Sequence, residues 1–245
     1  RHAPNPFLVE AAELANGSVV DLLIAAYLSA PIPGEESYDQ ALQVQQHLIA
    51  SQSYVAAGIA AEALGSWNKP ALLEMADVLE SHQNSRARYA YVESLKETVS
   101  PDSIATLGHY LDDPDPEIRV QVRDWLIEFA NQPELSARII NLTEGAVNAD
   151  SWRLQEQGMH LAVQLDQKQV APEVLKHLSS QRAEVLVTAS WTLRRLAIPE
   201  TLPSVLKYCQ SRSNDFMKET LPRELEYEIN EQFAHLYQMF GQMKY

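Results

Sequence analysis

Two stretches of this chain repeat one another at a distance of 31 residues. Val174–Arg182 reads VLKHLSSQR and Val205–Arg212 reads VLKYCQSR. The same offset pairs Leu154 with Val185, Gly158 with Ala189, Ala162 with Leu193 and Leu165 with Leu196. An offset of 67 carries the set back to Ile118, Val122, Leu126 and Phe129. Each set runs i, i+4, i+8, i+11, the spacing of one buried helical stripe. Prolines mark the period independently: Pro70, Pro101 and Pro133 stand 31 and 32 apart, and Pro172 and Pro203 stand 31 apart. A proline suits the first turn of a helix, where the missing N–H costs nothing. A unit of this length holds two helices that cannot bury their apolar faces alone, so consecutive units must stack. The repeat therefore predicts an all-α superhelix, a solenoid of about six to seven helix pairs.

Five regular units are expected at 42–81, 86–111, 117–142, 152–180 and 183–212. A helix pair precedes them over 7–29 and further helices follow over 215–240, all in one continuous solenoid spanning 1–245. The linker APIPGEES at 30–37 separates the first pair. The longer proline gap, from Pro133 to Pro172, contains TEGAVNADS at 143–151, which reads as an inserted loop. The tail ELEYEINEQFAHLYQMFGQMKY spaces Ile229, Phe233, Leu236, Tyr237 and Phe240 as a helix and ends without a polar cap. It reads as the cut edge of a longer protein.

The stretch DPDPEIRVQVRDWL at 113–126 resembles the turn and first helix of a HEAT repeat. Ile118-Arg119 stand where that family has its Val-Arg pair, Val122 where it has a small residue, and Leu126 where it has leucine. AAEALGSWNKPALLEMADVL at 60–79 and TASWTLRRLAIPETLPSVL at 188–206 resemble bacterial HEAT-like units of the phycobilisome-lyase-like type. The resemblance implies the solenoid fold and, as the leading function, a non-enzymatic scaffold for protein–protein interaction. Two other functions that it admits are a nucleic-acid-binding or DNA-repair HEAT-like protein and a phycobilisome-lyase-like accessory subunit. The last would bind a tetrapyrrole, and no residue here calls specifically for that pigment.

Catalytic and metal chemistry find little to stand on. Asp112, Asp113, Asp115 and Glu117 crowd together, but Pro114 and Pro116 interrupt them and no glycine follows, unlike a calcium loop. Acids before a helix cap its N-terminus instead, and Asp113 or Asp115 suits that role. The seven histidines form no HExxH, HxH or HxxxH pattern. None precedes a glutamate, unlike the His-Glu pairs at the di-iron site of the HEAT-like deoxyhypusine hydroxylases. The single Cys209 takes the repeat position of Leu178, a small buried apolar group rather than a nucleophile. No catalytic residue, metal ligand or cofactor is expected.

Binding surfaces are better motivated. In solenoids of this type the second helix of each pair lines the concave face, as the resemblance implies. Tyr110, His177 and Tyr208 each precede a core position, with Lys176 and Lys207 beside the last two, so a partner-binding row is expected there. Trp191, Arg194 and Arg195 form the best local basic-aromatic element. Against nucleic acid stands the balance of 33 acids to 19 bases, a formal charge of -14. Residues 1–85 hold ten acids and only Arg1 and Lys69 as bases, so a protein partner with a basic segment is the natural complement. No membrane span is expected, because the most apolar run, VVDLLIAAYLSA, is about 12 residues long where about 20 are needed.

Overall fold

The computed structural model describes residues 6–28, 38–51, 53–196, 198–201 and 203–204. The linker at 30–37, the helices expected over 215–240, Cys209, Lys207, Tyr208 and the apolar tail lie outside the described residues. What is described is all-α, as the repeat requires, with no strand among the described residues. The chain divides into two compact units, 1–99 and 100–245.

The first unit holds α1 (Pro6–Leu14), α2 (Val19–Leu28), α3 (Tyr38–Ile49), α4 (Tyr54–Trp67), α5 (Lys69–Leu73), α6 (Ala76–Leu79) and α7 (Ser85–Glu97). The second holds α8 (Ser103–His109), α9 (Pro116–Phe129), α10 (Pro133–Val147), α11 (Trp152–Gln164), α12 (Ala171–His177) and α13 (Ala183–Leu196). In the second unit α9, α11 and α13 lead their helix pairs and pack in that order, with α11 between the other two.

One turn, repeated, sets the register. The residues before α4, α7, α9, α11 and α13 are Ser53, Asn84, Asp115, Ser151 and Arg182, spaced 31, 31, 36 and 31. In four of the five, the backbone N–H of that residue donates to the side chain two positions earlier. The acceptors are Ser51 Oγ (3.3 Å), His82 Nδ1 (3.0 Å), Asp113 Oδ1 (2.7 Å) and Ser180 Oγ (3.2 Å). Four residues after the cap, a long side chain folds back over the same turn. Arg88 Nη1 donates to the carbonyls of His82 (2.6 Å) and Gln83 (3.2 Å). Arg119 Nη1 does the same to Asp113 (2.6 Å) and Pro114 (3.1 Å), and Gln155 Nε2 reaches Ala149 O at 2.7 Å. These bonds satisfy turn carbonyls that the helix ladder cannot reach.

The acidic cluster is accounted for in this way. Asp115 is the N-cap of α9, accepting from Glu117 N at 2.9 Å, and Asp113 braces Asp115. Pro116 takes the first helical position, where no N–H is needed.

The predicted stripes are core. Ile118, Val122, Leu126 and Phe129 are all buried, as are Val185, Ala189, Leu193 and Leu196. Burial of a side chain such as Leu126 contributes about 2 kcal/mol. In α11 only Gly158 and Ala162 of the expected set are buried; Leu154 and Leu165, at the ends of the stripe, are half-buried.

Two expectations are corrected. Residues 143–147 form no loop: the five extra residues lengthen α10, which runs to Val147 with Thr143, Ala146 and Val147 buried. Thr143 Oγ1 donates to Ile139 O at 2.8 Å, one turn back, which keeps the segment helical. The stretch 42–81 is not one helix pair either. It contains the end of α3 and all of α4 to α6, because the repeated turn falls at Ser53.

Candidate functional site

Nine residues after the cap, the second unit places Asp124, His160 and Trp191 on α9, α11 and α13, one repeat position carried through three helices. With Arg123, Ile127 and Gln164 they line an open groove of about 370 Å³. The His160 and Trp191 rings meet at a tilt of 50°, their centroids 4.8 Å apart. Arg123 is fixed beside them: its Nε and Nη2 donate to Asp124 Oδ1 at 3.2 and 3.1 Å, and its Nη1 donates to Gln157 Oε1 at 3.2 Å.

Burial first, and that neighbour second, set the charge of the histidine. Burial, and then the Arg123 guanidinium, push the His160 pKa down to about 4. The ring is therefore neutral near pH 7. The groove presents a neutral imidazole, an indole and an ion pair already matched internally. Such a surface suits the side chain of another molecule: aromatic area for contact, with fixed polar atoms at the edge for orientation. Among the described residues no group of three His, Cys, Asp or Glu side chains is placed to hold a metal ion.

A second cluster lies where α11 and α13 begin. Three guanidinium carbons surround the Trp152 indole: Arg182 at 4.2 Å, Arg153 at 5.1 Å and Arg119 at 5.9 Å from the ring centroid. Asp112 bonds Ser151 Oγ and stands 3.7 Å from Arg153 Nη1, and Glu184 stands 3.6 Å from Arg182 Nε.

The residues expected to bind a partner are dispersed. Tyr110 is buried, at 4% exposure, and does not offer its ring to solvent. It lies three residues after buried Leu107, in a segment wound as a 3-10 turn, and both features turn it inward with Leu111. His177 is half-buried and its Nε2–H donates to Val147 O at 2.8 Å. Lys176 is exposed and pairs with Glu173. Lys207 and Tyr208 lie outside the described residues. Trp191 does line the groove, and the arginine that lines it with Trp191 is Arg123. Arg194 is half-buried and Arg195 exposed on α13, outside the groove lining.

His160 was legible in principle, since it stands one period before Trp191. The Trp152 cluster has a fainter trace, an aromatic-basic dipeptide at a helix start with Arg182 one period beyond Ser151.

Stacked helix pairs joined by a repeated capping turn define a helical-repeat scaffold. Residues 42–134 match the family model described as HEAT repeats. No curated relative matches the sequence. An X-ray structure of the E. coli protein YibA aligns with a TM-score of 0.50 at 14% identity, covering 95% of this chain and 81% of its own. At that identity the likeness concerns the fold alone. Among the described residues no helix is long and apolar enough to cross a membrane.

Proposed function

We propose that the chain is a non-enzymatic scaffold for protein–protein interaction, and that the groove across α9, α11 and α13 receives a side chain of the partner. The observation that carries this reading is the single repeat position that brings Asp124, His160 and Trp191 to one open groove. HEAT repeats generally serve protein–protein contact, and indole and imidazole rings are efficient anchors because they order few torsions on binding. The partner segment is basic. Residues 1–85 hold ten acids against two bases, and Glu62 and Glu93 occupy in the earlier repeats the register that Asp124 holds here.

The test replaces Trp191 by alanine and, separately, by a photo-crosslinking phenylalanine analogue. The crosslinking chain is expected to trap one protein stoichiometrically, released by salt from the wild type. Trp191→Ala should weaken that complex at least ten-fold, by analogy with interface anchors. Capture that is unchanged in Trp191→Ala, with melting also unchanged, removes the groove from the interface.

A further inference from the structure

The Trp152 cluster is assembled from three helix starts, yet the groove needs none of it. Its two outer guanidiniums stand over the indole face. The Arg182 carbon is closest to the ring centroid, at 4.2 Å, and that of Arg153 lies at 5.1 Å. A guanidinium carries five N–H donors along its edges, and stacking on an aromatic face uses none of them. Among the described residues neither the Arg153 nor the Arg182 guanidinium makes a hydrogen bond. Their carboxylate neighbours, Asp112 at 3.7 Å and Glu184 at 3.6 Å, stand beyond that range. Both side chains open to solvent, at 34% and 50% exposure.

Behind them Arg119 is 8% exposed. Its Nε–H has no acceptor among the described residues, although its Nη1 is spent on the turn carbonyls. Three like charges thus converge on one ring in a chain whose formal charge is -14. Two carboxylates, Asp112 and Glu184, stand within 4 Å of the outer pair.

We propose that Arg153 and Arg182, placed over Trp152, bind a phosphomonoester dianion carried by a phosphorylated side chain of a partner protein. Planar guanidinium edges match phosphate oxygens in bidentate fashion. A dianion is required rather than a carboxylate, because Asp112 and Glu184 already offer single charges within 4 Å. The site is a single point and not a stripe of bases, and the net charge repels a polyphosphate backbone, so the phosphate sits on a protein and not on nucleic acid. The proposal rests on the scaffold reading only in placing the phosphate on a protein partner. Oxyanion binding itself is independent of the Trp191 groove.

The experiment follows the indole N–H resonance of Trp152 in the 15N-labelled chain, identified by its loss in Trp152→Phe. Inorganic phosphate, N-acetyl-phosphoserine methylamide and acetate are titrated at constant ionic strength. Phosphoserine is expected to give a saturable shift with a dissociation constant on the order of 1 mM or tighter, at least as tight as inorganic phosphate. Arg182→Gln and the Arg153→Gln/Arg182→Gln pair should weaken it ten-fold or more while circular dichroism melting stays near wild type.

Absence of saturation, an equal response to acetate, or an unchanged titration in both variants overturns the site. Tighter binding of inorganic phosphate than of phosphoserine overturns the partner-borne assignment, and so does tighter binding of a single-stranded oligonucleotide. A phosphate response with no protein trapped at residue 191 sinks the scaffold reading and leaves the oxyanion site standing.

Discussion

His160 titrates where the rest of the groove does not. Its folded pKa of about 4 lies below the value of about 6.5 expected in the unfolded chain. Between those values the unfolded chain holds the extra proton, so stability rises with pH through that window. The contribution of neutral His160 is complete above about pH 6.5 and is lost as pH falls toward about 4. Allowing for the ring's partial exposure, that loss is about 2 kcal/mol. Urea unfolding of wild type and His160→Gln at pH 7 and pH 4.5 measures it: the wild type should lose more stability between the two pH values. Equal losses would place the imidazole in water rather than against Trp191 and Arg123. At this scale the sequence was partly legible. Asp115 and Arg119 carry their roles in their spacing, because a cap and a fold-back arginine act within one turn. The partners of Trp191 come from other helices, and only an exact register for each repeat would have linked it to His160 and Asp124.

The helices were the most legible layer, for a physical reason. A stripe repeated every 31 residues has one way to be buried, and the capping turn punctuates it at the same place each time. What composition could not reveal is whether extra residues extend a helix or form a loop. TEGAVNADS contains Gly145, Asn148 and Asp150, yet burial of Ala146 and Val147 pulls its first half into α10. Two glycines of this region therefore have opposite roles. Around Gly145 there is nothing within 4 Å of an added Cβ, whereas at Gly158 it would meet Val147 N at 2.6 Å and Ala146 Cβ at 2.8 Å. Gly145→Ala should stabilise by up to about 1 kcal/mol through helix propensity. Gly158→Ala should destabilise by about 1–3 kcal/mol, since backbone of α10 must retreat. Denaturant midpoints of the two variants decide it, and matching signs would mean that α11 does not pack closely on the end of α10.

Across the whole molecule, charge argues against the one reading that local chemistry keeps inviting. Trp191 with Arg194 and Arg195 on one helix, and Trp152 within three arginines, would each suit a nucleic-acid surface if the chain around them were basic. Instead the bases are answered locally: Arg86 by Glu62 at 2.5 Å, Arg123 by Asp124, Lys176 by Glu173, Lys69 by Glu97. Each pair removes a cation from any long positive track, and the remainder of the acids set a field that repels phosphodiesters at distance. Nucleic-acid affinity depends on neutralising many phosphates together, and two isolated clusters offer few. Fluorescence anisotropy of labelled single- and double-stranded oligonucleotides at about 50 mM salt, where such binding is strongest, should show no saturable rise. A rise that collapses with added salt and with Arg194→Ala/Arg195→Ala would move the function from protein contact to nucleic acid. A flat response leaves the two aromatic clusters to a single charged group on a protein, a scale of contact that a net charge of -14 permits.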